Sequence, residues 1–186
     1  FKTIAIAGSH GKSTTTAMAA LMMAKAGLNP TVIVGTKLKE FGGTNFRLGK
    51  SNYLVLEADE YRGSFWNYQP WVAVLTNIDR EHLDFYGNLA GVTRGFKKFT
   101  EGLSPEGHLV LNADDAYLKR IGRSAHSLPK NHVRWFSLRD REASALKSVL
   151  KIPGQHNVAN ALAAYRMGQI LGISRHKILR ALASYH

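Results

Sequence analysis

Short, nearly continuous apolar runs recur along the chain, separated by longer stretches of helical character. The runs fall at residues 2–7, 31–34, 53–57, 71–77, 108–111 and 133–136, each the length of a buried strand. Between them, residues 13–26 read as a helix closed by Gly27. Residues 89–103 read as a helix with Phe96 and Phe99 on its inner side, and 115–121 as a short one. Two further helices, 155–171 and 174–185, finish the chain, with Ser174 in the N-cap position of the second. Asn29-Pro30 marks a turn, and the glycine-rich stretch 40–50 reads as a loop. Strands that are apolar on both faces and alternate with helices predict an α/β fold. Its sheet is expected to be mainly parallel and doubly wound, with helices on both faces.

Composition narrows the function classes. The 186 residues suit one domain, and 45% hydrophobic with 20% charged residues is ordinary for a globular protein. No apolar run reaches the roughly 18 residues of a membrane span, so no membrane partner is expected, and the N-terminus lacks a signal-peptide pattern. The absence of cysteine excludes disulfides, thiolate metal sites and cysteine nucleophiles, and fits a cytoplasmic location. The net charge of +12 raises nucleic acid as a partner. Yet the densest basic group (Lys119, Arg120, Arg123, Lys130, Arg134, Arg139, Arg141) is spread over helix and loop. It reads as a solvated face, or one that meets acidic parts of a longer enzyme. A polyanionic small ligand is the other reading, and nucleic acid is not expected.

The candidate chemistry begins at Gly8-Ser9-His10-Gly11-Lys12-Ser13, between the first strand and the first helix. Glycines there let backbone N–H groups close around phosphate oxygens, and a helix N-terminus adds its dipole. Lys12 suits the β and γ phosphates, and Ser13 suits Mg²⁺. The spacing departs from the usual phosphate loop, because Ile6 stands where the first glycine belongs and Gly8 lies three residues before Gly11.

Two further strands end in polar groups. Glu57-Ala58-Asp59-Glu60 closes one, and any of its three carboxylates suits Mg²⁺, or the group is a solvated acidic turn. Thr76-Asn77 closes the next, with His82 soon after. Asn157 and Asn160 are three apart and share a helix face, and their amides can match the edge of adenine.

Four motifs in order resemble the Mur ligase family: Gly-Ser-His-Gly-Lys-Ser-Thr-Thr-Thr at 8–16, Glu-Ala-Asp-Glu at 57–60, Thr-Asn-Ile-Asp-Arg-Glu-His-Leu-Asp at 76–84 and Pro-Gly-Gln-His-Asn-Val-Ala-Asn-Ala at 153–161. The histidine before Gly11 is most similar to the branch that adds alanine. The resemblance implies a P-loop NTPase-like central ATP-binding domain over residues 1–186, without the flanking domains that hold the UDP-sugar and the amino acid. It implies ATP and Mg²⁺ as cofactors, with Gly8, Ser9, His10, Gly11, Lys12, Ser13, Thr14, His156, Asn157 and Asn160 on the nucleotide. Ser13, Glu57 and His82 are implied metal ligands, and Lys12, Glu57 and His82 the catalytic set. The implied whole enzyme is a carboxylate–amine ligase of peptidoglycan precursor synthesis, joining L-alanine to UDP-N-acetylmuramate through an acyl phosphate. The isolated piece is expected to be inactive alone.

Three alternatives stay open: a muropeptide ligase that adds a peptide, a stand-alone P-loop NTPase or kinase, and a nucleic-acid-binding module. Lys97 stands where some relatives carry a carbamylated lysine and is expected at the surface. Arg62 replaces an acidic residue usual in the alanine-adding branch, and the stretch between Phe136 and Pro153 is shorter than in many relatives. Asn112-Ala113-Asp114-Asp115 reads as a turn and helix cap.

Overall fold

The structure, a computed structural model, describes residues 1–125 and 128–186. Its strands are β1 (Lys2–Ala7), β2 (Thr31–Leu38), β3 (Thr44–Arg47), β4 (Tyr53–Glu57), β5 (Val72–Leu75), β6 (His108–Asn112) and β7 (Val133–Phe136). Its helices are α1 (Lys12–Lys25), α2 (Leu83–Tyr86), α3 (Leu89–Glu101), α4 (Ala116–Ser124), α5 (Arg141–Val149), α6 (Gln155–Ile170) and α7 (Arg175–Leu182). The strands form one sheet in the order β3-β2-β4-β1-β5-β6-β7. Every pairing is parallel except β2 with β3.

The central strands β1, β5 and β6 are apolar on both sides because both sides are covered. Ile4 and Ile6 of β1, Val72 and Val74 of β5 and Val110 of β6 point into one core with α1, α6 and α7. Their neighbours Ala5, Ala7, Ala73, Leu75, Leu109 and Leu111 point into the other, with α3 and α4. This is why the strands read as solid apolar runs rather than alternating ones. Helix α1 packs on β1, β2 and β4 beside α6, which covers β5, β6 and β7, and residues 17–23 of α1 are all buried. Its run of Ala and Met residues therefore shows no polar stripe.

The chain leaves β1 for β2 and β4 on one side, then crosses to β5 on the other. That reversal opens a crevice at the carboxyl ends of β1 and β5, the usual place for ligands in such sheets.

Two stretches differ from the expectation. Residues 40–50 are not all loop, since β3 pairs antiparallel with an extended β2. Thr-Asn-Phe-Arg makes an edge strand with no buried residue, so no apolar run announces it. The short stretch after Phe136 holds α5, which buries only Glu142, Ala143 and Leu146 and packs on α6 and α7. Ser174 does occupy the N-cap of α7, but its side chain makes no capping bond. Asp115 does cap α4, accepting from the Tyr117 and Leu118 N–H groups at 2.8 and 2.9 Å.

Candidate active site

The loop between β1 and α1 turns on Gly8 (φ 140°) and Gly11 (φ 82°), backbone conformations that side-chain-bearing residues rarely adopt. Close neighbours reinforce the requirement. A Cβ on Gly8 would lie 2.0 Å from Thr76 Oγ1, and one on Gly11 would lie 2.3 Å from Asn160 Oδ1. Gly11 gives α1 no side-chain cap, so its first-turn N–H groups are left for another acceptor.

The end of β5 laces this loop in place. The Asn77 amide accepts from the His10 N–H at 2.8 Å and donates to the His10 carbonyl at 2.9 Å. Thr76 Oγ1 donates to the same carbonyl at 2.7 Å. The Ser9 N–H donates to the Asn77 carbonyl at 3.0 Å, and Ser9 Oγ accepts from the Asp79 N–H at 2.8 Å. The exposed His10 ring lies 3.2 Å from Asp79 and 3.5 Å from Glu81. The Arg80 N–H, then the His10 ring, hold the exposed Asp79 carboxyl below the usual carboxylate range.

Behind the loop sit two groups of ionisable side chains. In one, Ser13 Oγ donates to Glu57 Oε1 at 3.0 Å, and the Gly35 N–H donates to Glu57 Oε2 at 2.7 Å. In the other, Asp59, Glu60 and His82 offer ligand atoms within 4.8 Å of one another. Lys12 joins the second group. Its ammonium donates to the Gly8 carbonyl at 2.7 Å and lies 2.9 Å from a carboxylate oxygen of Glu60, itself 1% exposed. Burial raises the Glu60 pKa, and the Lys12 charge opposes that rise. His82 has φ 54°, and its Nε2 lies 3.8 Å from Glu60.

In front of the loop, a cavity of about 320 Å³ is bounded by His10, Gly11, Thr76, Asn77, Asn112, Phe136, His156, Ala159 and Asn160. Of the expected adenine-end residues, His156 and Asn160 line it. The Asn157 amide donates instead to the Pro153 carbonyl at 2.6 Å, outside that lining. Thr14 lies half-buried in the first turn of α1, outside the cavity lining. Lys97 is exposed and 3.8 Å from Glu101, and Arg62 is exposed over the Tyr61 ring.

Sequence reading did not single out Phe136 and Ala159 as cavity walls, nor Glu60 as the partner of Lys12. Asn112, expected within a turn and helix cap, also donates to the Thr76 carbonyl at 2.9 Å and lines the cavity. Phe136 and Ala159 are apolar residues within a strand and a helix, so nothing local marks them.

A glycine-rich strand-to-helix turn with a lysine in the first helical turn, opposite acidic strand ends, defines a nucleotide-binding α/β domain of the phosphate-loop class. The chain belongs to the Mur ligase family, whose middle-domain description matches residues 6–168. It is 41% identical to the UDP-N-acetylmuramate--L-alanine ligase of Aquifex aeolicus, over 98% of this chain and 44% of that protein. It is 38% identical to the protein of the same description from Solibacter usitatus, over 98% of this chain and 42% of that protein. The chain thus spans less than half the length of these curated relatives. Among solved structures it superposes on the UDP-N-acetylmuramate:L-alanyl-gamma-D-glutamyl-meso-diaminopimelate ligase from Neisseria meningitides, with a TM-score of 0.86 over 100% of this chain and 66% of that one. Sequence identity there is 24%, so that likeness is one of fold.

Proposed function

We propose that this chain is the ATP-binding domain of a carboxylate–amine ligase of peptidoglycan precursor synthesis. The observation that carries the reading is the closing of Gly8–Gly11 by Asn160 from α6 and by Thr76 and Asn77 from β5. That arrangement joins a phosphate cradle at Lys12 to a cavity at His156 and Asn160.

The residues present fit both groups the family implies. Neither Gly8 nor Gly11 has room for a Cβ, as a backbone-lined phosphate cradle requires. Mg²⁺ prefers oxygen ligands, and Ser13 Oγ with the Glu57 carboxylate supplies them. Asp59, Glu60 and His82 form a second set of donors beside them. When bound, Mg²⁺ would offset phosphate charge. In the reaction proposed, a substrate carboxylate oxygen attacks the γ-phosphorus of ATP and ADP leaves. An amine then displaces phosphate to form the amide. Lys12 would stabilise the charge that develops on the transferred phosphoryl group, and Asn160 with His156 would orient the nucleotide. Lys12, Glu57 and His82 remain the proposed catalytic set.

The relatives' descriptions favour UDP-N-acetylmuramate and L-alanine as substrates in the whole protein. Addition of a peptide is the second reading, favoured by the fold neighbour described as joining a tripeptide. No described helix is long and apolar enough to cross a membrane, in keeping with action on water-borne substrates.

Calorimetry on the full-length protein tests the reading. ATP with Mg²⁺ is expected to bind the parent, with Lys12→Ala abolishing binding and Asn160→Ala weakening it. Phosphate release that depends on UDP-N-acetylmuramate plus either L-alanine or a tripeptide then separates the two substrate readings. Release without any carboxylate acceptor would point to a plain NTPase.

A further inference from the structure

Glu60 belongs to the second donor set described above, yet the charged group nearest to it is Lys12, and its side chain is closely held. It is 1% exposed, and both its oxygens face Lys12, at 2.9 and 3.1 Å. Burying a carboxylate is costly unless a cation or hydrogen-bond donors compensate. Lys12 provides that compensation and in return is drawn onto Glu60 and the Gly8 and Ser9 carbonyls. In this state all its close partners are acceptors of the protein's own, and a phosphate must compete with them.

The backbone of Glu60 is itself pinned. Its carbonyl accepts from Tyr86 Oη at 2.6 Å and from the Gly63 N–H at 2.9 Å. Tyr86 comes from α2, and its place is made by two glycines one turn apart on α3. A Cβ on Gly95 would lie 2.6 Å from the Tyr86 ring, and one on Gly91 would lie 2.0 Å from the Tyr86 carbonyl. A glycine in a helix interior costs about 1 kcal/mol relative to alanine, and α3 carries one there, Gly95, with Gly91 in its first turn. Burial, with the Glu60 charge second, pushes the Tyr86 hydroxyl up to about 12, so it remains a donor at any physiological pH.

We infer that Glu60 is a positioning residue that holds the Lys12 ammonium against the phosphate loop until an anion displaces it, and that Tyr86, seated on Gly91 and Gly95, holds Glu60 in place. Glu60 thereby sets how tightly the loop grips a phosphate chain and where Lys12 starts from when it does. The inference rests on the proposed nucleotide site.

Calorimetry on the full-length protein with ATP, first in EDTA and then with Mg²⁺, tests it. Glu60→Gln keeps the shape and removes the competing charge, so metal-free ATP is expected to bind roughly ten-fold more tightly. Turnover is expected to show a split, with kcat reduced as Lys12 loses its guide and KM for ATP reduced as well. Tyr86→Phe leaves the ring on the glycines and removes only the hydroxyl, so a shift of about two- to three-fold in the same direction is expected. Metal-free affinity that is unchanged or weaker in Glu60→Gln, with Lys12→Ala still abolishing binding, would overturn the role given to Glu60. If Glu60→Gln does not fold, Tyr86→Phe decides, and parent-like affinity there overturns it. Parent-like binding by Lys12→Ala would instead refute the nucleotide site itself.

Discussion

The two faces of the sheet are built differently, and the difference follows their tasks. On the face of α1 and α6, the helices meet closely through small residues. A Cβ on Gly168 of α6 would lie 2.8 Å from Met22 of α1 and 2.9 Å from Ile178 of α7. The same two helices carry the proposed ligand groups in their N-terminal halves, Lys12 on α1 and Asn160 on α6, where Asn160 rests against Gly11. Helix spacing on this face is therefore site geometry. On the other face, α3 and α4 are one-sided, with their polar sides in solvent and their N-termini capped by Asn88 and Asp115. Their core is aromatic: Phe65 stacks on Phe99 at 4.8 Å and meets Phe96 edge-on at 5.3 Å. This face supplies stability and, through Tyr86, one link to the site.

That contrast predicts separable effects. Phe65→Ala is expected to cost about 3–5 kcal/mol by leaving a cavity in the aromatic core. ATP affinity of the protein that remains folded should stay near the parent value. Denaturant unfolding beside calorimetry checks both, and a large loss of affinity would break the comparison. Gly11→Ala should weight the effect towards the site. The strained backbone and the collision with Asn160 are expected to cost about 1–3 kcal/mol of stability, and ATP affinity of the folded protein should also fall about 100-fold, roughly 2.7 kcal/mol.

Gly168→Ala sharpens the claim that helix spacing is site geometry. Overpacking against Met22 should cost about 1–3 kcal/mol of stability and also weaken ATP binding, although residue 168 touches no ligand group. Loss of stability alone would place the two helices in a purely structural role.

The smallest effect lies at the opposite end of β6. His108 stacks on His132 with ring centroids 4.2 Å apart, and its pKa is lowered by burial first, then by His132 and Arg134. Below the ordinary histidine value of about 6.5, the unfolded chain therefore takes up a proton that the folded chain resists. Stability falls as pH drops through that window and levels off below the folded-state pKa. Thermal unfolding at about pH 7.5 and pH 5.5 should show a shift of a few degrees at most, reduced in His108→Gln. ATP affinity is expected to be unaffected by that substitution.

Much of this was legible along the chain, for identifiable reasons. β1 and β4 are largely apolar runs that end where polar loop residues begin, so their limits show directly. The phosphate loop was visible because backbone contact with phosphate demands glycine at particular places. The Lys12 partnership with Glu60 was not, because 48 residues separate the two and Glu60 sits in a motif with two other carboxylates. Strand β3 escaped because an exposed edge strand carries no burial pattern. Helix α5 escaped because it buries so few residues that its period barely registers. Asn157 and Asn160, both expected at the site, share a helix face by spacing, but only Asn160 lines the cavity.

By itself the sequence determined the class of fold, the strand order of the chemistry and the residue types that could carry it. Those follow from local rules: apolar runs need cover, phosphate cradles need glycine, and metal-binding strand ends need oxygen donors. Which carboxylate answers Lys12, which asparagine faces the cavity, and why α3 keeps two glycines were decided only by the packed molecule. Those choices depend on which side chains from distant segments come within hydrogen-bond or van der Waals range, and a period along the chain carries no information about that distance.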